Sequence, residues 1–233
     1  MPPLPEAMND EACSRTAALL GEAAMARLAS AHVLVVGVGG VGSWCAEALL
    51  RTGVGHLTLM DDDAVVASNL NRQCQATEAT LGRPKVDALR ERLLSICPDA
   101  DVTARAMRFT GSEDISGFDA VVDAIDSVAC KAALVLKACE LKIPVVSSMG
   151  AALRTDPSRV RVTRFDKVSG DGLARALRRR FREGGRVLPR FDCVWSDEPP
   201  RRIEVRGSIM PVTASFGMCL ASRVIESLID FCH

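Results

Sequence analysis

His32-Val-Leu-Val-Val-Gly37-Val-Gly-Gly-Val-Gly42-Ser43 decides the fold. The opening residues are a short apolar run rich in β-branched side chains. A run of that length ending in glycine reads as a buried parallel strand. The glycines that follow let the chain turn sharply, and let backbone N–H groups approach a phosphate at the start of the next helix. The motif by itself serves a dinucleotide enzyme as well as an ATP user, and close packing of a helix on a strand would use the same glycines.

The elements around it repeat the alternation. Positions 41–52 read as a helix with Val41, Cys45, Ala48 and Leu49 on one face, and positions 57–60 as a second strand ending at Asp61. Pro84 opens a helix to about Ile96, because proline suits the first helical turn. Positions 119–123 and 143–147 read as strands, with a helix over 128–141 between them. Strands alternating with helices predict an α/β fold, a doubly wound, mostly parallel Rossmann-like sheet. After Gly150 the pattern changes: a half-exposed strand over 160–164, an Arg-rich helix over 172–182, a further strand over 190–196, and a loop at Pro199-Pro200. The expected organisation is a nucleotide-binding core over residues 1–150 and a small specificity region over 151–233, within one structural domain.

The chain has 233 residues and a formal net charge of zero, which argues against a strongly basic nucleic-acid binder. That average hides an asymmetry: residues 151–206 hold 15 Arg/Lys against 8 Asp/Glu. None of the nine cysteines forms a C-x-x-C pair, so the sequence carries neither a zinc-ribbon signature nor a thioredoxin-type pair. Free cysteines without framework spacing fit a reducing cytosol, and a cytoplasmic protein is expected. The Pro-rich start through Glu11 has no apolar segment of a secretory leader, and no run of 18 uncharged apolar residues predicts a membrane span. The short apolar stretch over 208–222, followed by Arg223, Glu226 and Asp230 at near-helical spacing, reads as a core-packing helix.

Ligands of doubly wound sheets sit at the carboxyl ends of the strands, and the polar residues fall there. Asp61 stands where a ribose-binding acid belongs in a nicotinamide enzyme or an ATP user. The next segment, Asn69-Leu-Asn71-Arg72-Gln73 followed by Gly82-Arg-Pro-Lys85, favours ATP. Arg and Lys neutralise a triphosphate and the pyrophosphate that leaves it. A nicotinamide-dependent oxidoreductase would leave Arg72, Lys85 and Asp126 idle. In Val121-Val-Asp123-Ala-Ile-Asp126-Ser127, Asp126 suits Mg²⁺ beside a phosphate, or could cap the helix that follows. Asp123 reads as support for this loop.

In this order, these elements resemble the ThiF/MoeB/HesA superfamily of adenylating enzymes. Gly39-Gly-Val-Gly-Ser-Trp44, Asp123-Ala-Ile-Asp-Ser127, Lys131-Ala-Ala-Leu134, Ile143-Pro-Val-Val-Ser-Ser-Met-Gly-Ala151 and Ser14-Arg-Thr-x-x-Leu-Leu-Gly21 are similar to its tRNA threonylcarbamoyladenosine dehydratase branch. The resemblance implies ATP-dependent adenylation of the threonine carboxylate of N6-threonylcarbamoyladenosine next to a tRNA anticodon, then ring closure with release of AMP. It implies that Gly37, Gly39, Gly40 and Gly42 line the phosphate turn. It places Asp61 on the ribose, Asn69, Arg72, Gln73 and Lys85 around the phosphates, and Asp126 on Mg²⁺. It also implies a homodimer in which Arg15 reaches the partner's site. Arg175, Arg178, Arg179 and Arg182 share one helical face and are expected to contact tRNA. The C-terminal region is shorter than in enterobacterial members and lacks their Cys-bearing segment, which puts a sulfur-transfer partner in doubt. Cys193 reads as core. The alternative within the superfamily is an activating enzyme for a ubiquitin-like sulfur carrier, whose members commonly carry the C-x-x-C zinc pairs absent here.

Overall fold

A computed structural model describes residues 10–185 and 187–229. Residues 1–9, Arg186 and residues 230–233 lie outside the described residues. Helices α1 (Asp10–Leu20) and α2 (Glu22–Ser30) come first, separated by Gly21 at φ +82°. There follow β1 (His32–Val36), α3 (Gly42–Thr52), β2 (His56–Met60), α4 (Lys85–Ile96), β3 (Asp101–Arg105), β4 (Ala120–Asp123), α5 (Val128–Glu140) and β5 (Val145–Ser148). The chain then runs through β6 (Val160–Arg164), α6 (Gly172–Glu183), β7 (Asp192–Ser196) and α7 (Met210–Ile229).

The seven strands form one sheet in the order β3-β2-β1-β4-β5-β7-β6, parallel except for the last pair. The fold is the α/β, doubly wound, mostly parallel sheet that the alternation predicts. The residues beyond Gly150 extend this sheet by two strands. Edge strand β3 escaped the sequence reading because its run, Asp101-Val-Thr-Ala-Arg105, buries only Val102 fully and offers no apolar stretch.

Side chains of β1 alternate between two cores, as a pleated strand requires. Val33 and Val35 join the core under α2, α3, α4 and α7, whereas Leu34 and Val36 join the core under α5 and α6. Helix α7 is the one described helix long and apolar enough to cross a membrane. Val212, Phe216, Leu220 and Val224 are fully buried against the sheet and α3, and each such burial contributes about 1.5–3 kcal/mol. Gly217 lets α7 approach closely, since a Cβ there would stand 2.6 Å from the Val41 carbonyl oxygen.

Candidate functional site

The strand order reverses between β1 and β4, where parallel pairing aligns Val36 with Asp123. That reversal opens a crevice beyond the strand ends, the usual ligand position in such sheets. Gly37 turns out of β1 at φ +86°, and a Cβ on it would come within 2.6 Å of the Ala124 carbonyl oxygen. Gly42 is tighter: its Cβ would lie 1.8 Å from the Gly37 carbonyl oxygen. The four glycines therefore divide. Gly37, Gly39 and Gly40 line a cavity of about 560 Å³. Gly42 is buried at the first position of α3 and outside the cavity wall, so it makes the turn possible instead of touching a ligand.

The cavity also takes in Asp61, Asn69, Arg72, Gln73, Lys85 and Asp126. Residues from three separate stretches of sequence thus share one wall. Its volume suits a small-molecule site. Asp61 leaves the end of β2 and accepts N–H bonds from Val38 (2.8 Å) and Asp63 (2.9 Å), which tie the glycine turn to the second strand. Burial pushes its carboxyl above the ordinary range, and nearby Lys85 opposes that shift. Lys85, buried at the start of α4, donates to Asp63 at 2.6 Å. Arg72 lies along Gly40, where a Cβ would meet its stem at 3.1 Å. Its guanidinium donates to the Ser68 carbonyl (2.7 Å) and to Asn71 Oδ1 (2.9 Å), and its own carbonyl accepts from the Trp44 indole at 2.9 Å. Asn69 is buried and its Oδ1 accepts the Val66 N–H at 3.2 Å, so it holds the shape of the loop. Gln73 is buried beside it, accepting from Gln75 at 3.4 Å.

Asp126 is exposed at the cavity, and among the described residues nothing hydrogen-bonds its carboxylate. The N-cap of α5 is Ser127, without a side-chain cap bond, so Asp126 is not occupied as a cap. The loop carrying it is anchored from below. Asp123, fully buried, accepts the Ile125 N–H at 3.2 Å and pairs with buried Lys131 at 2.7 Å. Lys131 also donates to Ser147 Oγ and to the Ser148 carbonyl. Lys131 carries no role in the sequence reading. The one available signal was a lysine amid Ala-Ala-Leu-Val-Leu on a core-facing helix. Asp61, Asp62 and Asp63 form the only cluster of metal-type ligands found among the described residues. Lys85 and Arg108 pair with Asp63 and Asp62, so two of the three are already neutralised.

The cavity is not confined to the first 150 residues. Ala151, Ala152, Leu173, Arg206, Ser208 and Thr213 complete its wall. Cys130 is only half-buried and reaches the same wall. Arg15 is exposed on α1 and lies outside the cavity of its own chain. On α6, Arg175, Arg179 and Arg182 are exposed, and Arg179 pairs with Glu183 at 3.1 Å. Arg178 corrects the face drawn from helical spacing. Its guanidinium stands 4.9 Å from the Phe165 ring centre and donates to the Phe165 and Val168 carbonyls, so it ties α6 to the chain after β6. Cys193 is fully buried in β7 with its sulfur on the Thr163 carbonyl, and burial pushes its thiol up to about 12. A thiol so placed is inert as a nucleophile at neutral pH.

The arrangement suits a polyphosphate. Backbone N–H groups stand at a helix start beside Arg72 and Lys85, and the free Asp126 carboxylate is a hard oxygen ligand for a cation bridging phosphates. Comparison with known proteins agrees. The ThiF family profile matches residues 13–232. A tRNA threonylcarbamoyladenosine dehydratase of Escherichia coli K12 is 36% identical, with 91% of each chain covered. The crystal structure of the E. coli enzyme TcdA in complex with ATP superposes with a TM-score of 0.90 at 38% identity, covering 95% of both chains. The molybdopterin-synthase adenylyltransferase of E. coli K12 is 35% identical over a smaller share, 80% of this chain and 72% of its own.

Proposed function

The chain belongs to the ThiF family, and from that premise we propose that it is an ATP-dependent tRNA threonylcarbamoyladenosine dehydratase. The observation that carries the reading is the cavity at the β1–β4 reversal, with its glycine turn, Arg72, Lys85 and unpaired Asp126, in a chain collinear with ATP-bound TcdA over 95% of both lengths. In the proposed reaction the threonine carboxylate attacks the α-phosphorus of ATP and pyrophosphate leaves with its bridging electron pair. The carboxylate oxygen becomes part of AMP, a far better leaving group. An atom of the neighbouring carbamoyl group then displaces AMP at the same carbonyl carbon and closes a ring. The group has lost the elements of one water. Ring closure needs only proximity within the bound substrate, so no protein nucleophile is required.

Each residue has a part in this scheme. Gly37, Gly39 and Gly40 give the phosphates close access to the turn, and Gly42 makes that turn possible. Asp61 accepts the ribose hydroxyls, with Asn69 and Gln73 shaping the loop beneath the phosphates. Arg72 and Lys85 stabilise charge on the departing pyrophosphate, which requires Lys85 to exchange its Asp63 partner for phosphate. Asp126 fits Mg²⁺, which usually takes one or two carboxylates together with substrate phosphates. The metal would supply charge neutralisation across the phosphates. Arg15 of the partner subunit would complete the site in a homodimer. The exposed Arg175, Arg179 and Arg182 would meet the tRNA backbone, and the reaction belongs in the cytoplasm, where tRNA is used. The test is AMP release dependent on substrate: tRNA carrying threonylcarbamoyladenosine should stimulate it, and the same tRNA without the modification should not. Stimulation by a sulfur-carrier protein instead would transfer the chain to the adenylyltransferase reading.

A further inference from the structure

We propose that Arg206 receives the carboxylate of the acyl substrate, and this rests on the dehydratase reading. Two parts of the chain line the cavity. One carries the glycine turn, Asp61 and Asp126, and suits the nucleotide. The other comes from residues 149–152 and from Leu173, Arg206, Ser208 and Thr213, and is left for the group that attacks it. Among the described residues beyond Gly150, Arg206 is the one cation placed in this wall. The other cations of the cavity are engaged: Lys85 by Asp63, Arg108 by Asp62, and Arg72 by Ser68 and Asn71. Among the described residues the Arg206 guanidinium has no hydrogen bond or ion pair, and the residue is exposed.

The backbone that carries it is nonetheless anchored. The loop from Arg201 to Gly207 closes on a single residue: the Arg201 N–H donates to the Leu153 carbonyl at 2.8 Å, and the Leu153 N–H donates to the Gly207 carbonyl at 2.9 Å. Leu153 does this in the left-handed region, at φ +65°, which a leucine adopts only when its surroundings hold it. The next residue, Ser208, is held through its carbonyl by Asn71 Nδ2 at 2.9 Å. Asn71 uses its other terminal atom on Arg72, so the phosphate loop and the base of the Arg206 loop share one side chain. Arg206 therefore stands beside the anchored end of its loop.

The chemistry asks for such a cation. A carboxylate attacking ATP is an anion approaching a polyanion, and the repulsion opposes the encounter. A planar guanidinium fork binds both carboxylate oxygens and leaves each with a lone pair for attack. A phosphate of the tRNA backbone is the other anion that could use Arg206, and the two sources separate experimentally. Binding of the full chain would be measured to one tRNA with and without the threonylcarbamoyl group, for wild type, Arg206→Gln and Arg206→Lys. The expected result is a loss of at least about tenfold for the modified tRNA in Arg206→Gln, since one charge-assisted hydrogen bond already contributes that much. The unmodified tRNA should bind as before, the KM for ATP should hold, and Arg206→Lys should keep part of the affinity. Equal loss on both tRNAs would assign Arg206 to backbone phosphate and overturn the proposal, as would no loss on either. A wild-type chain that releases no AMP with the modified tRNA would remove the dehydratase reading itself, and the proposal with it.

Discussion

Replacing Lys131 by methionine keeps the length of the side chain and removes its charge from beneath the Asp126 loop. In the native chain the ammonium donates to Asp123 at 2.7 Å, to Ser147 Oγ at 3.2 Å and to the Ser148 carbonyl at 2.9 Å, with both charged side chains fully buried. After the substitution, Asp123 keeps the Ser147 hydroxyl at 2.5 Å and the Ile125 N–H at 3.2 Å, and loses its counter-charge. Breaking a buried pair by removing one partner costs about 3–5 kcal/mol, because the remaining charge is uncompensated. For a domain of this size each kcal/mol lowers the melting temperature by about 2–4 °C, so a fall of roughly 6–20 °C is expected. Urea unfolding, followed by the fluorescence of Trp44 and Trp195, gives the free energy directly. The double variant Asp123→Asn with Lys131→Met leaves no charge at this pair and should recover a substantial part of the loss. A single variant within about 1 kcal/mol of wild type, or a double variant no more stable than the single, would refute the reasoning, since burying an unpaired carboxylate is its premise.

Three further outcomes follow from the site. Asp126→Asn should reduce AMP formation by at least about a hundredfold while changing stability by no more than about 0.5 kcal/mol, because the carboxylate is exposed and supports no other group; turnover near wild type at limiting Mg²⁺ would sink the metal assignment. Arg72→Ala and Lys85→Ala should each slow the adenylation step by roughly 10²–10³-fold in single-turnover assays, as lost transition-state donors do; normal rates in both would place the loop away from the phosphates. Arg175, Arg179 and Arg182 replaced together by Gln should weaken tRNA binding across tRNA sequences and flatten its salt dependence, while Arg178→Gln should chiefly lower the melting temperature, because it alone of the four is spent on Phe165 and Val168; identical salt curves for the triple variant and wild type would show that this face does not meet RNA.

What the sequence disclosed depended on whether a signal was local. The apolar run of β1, its glycines and the spacing to Asp61 are contained within thirty-odd positions, and they specify a strand, a turn and a helix without help from the rest of the chain. Strand β3 carries no such signal, because an edge strand with one fully buried side chain needs no apolar run. Helical spacing grouped Arg178 with its neighbours because a wheel knows the angle of a side chain and not what waits there; the Phe165 ring lies 13 residues upstream. Gly42 looked like a ligand-facing glycine because its role depends on how closely the Gly37 carbonyl returns upon it. Arg206 was invisible for a related reason: only the closure of residues 201–207 on Leu153 brings a loop arginine to a cavity built mostly from the other half of the chain.

Under the proposed function, this chain cyclises a modified adenosine by way of ATP. The most direct test is one reaction containing the full chain, ATP, Mg²⁺ and tRNA bearing threonylcarbamoyladenosine, from which the tRNA is digested and its nucleosides are weighed by mass spectrometry while AMP is counted. The expected product is a nucleoside lighter than the substrate by one water, formed in equal number with AMP. AMP without the lighter nucleoside, or an unchanged nucleoside and intact ATP, would contradict the proposed function.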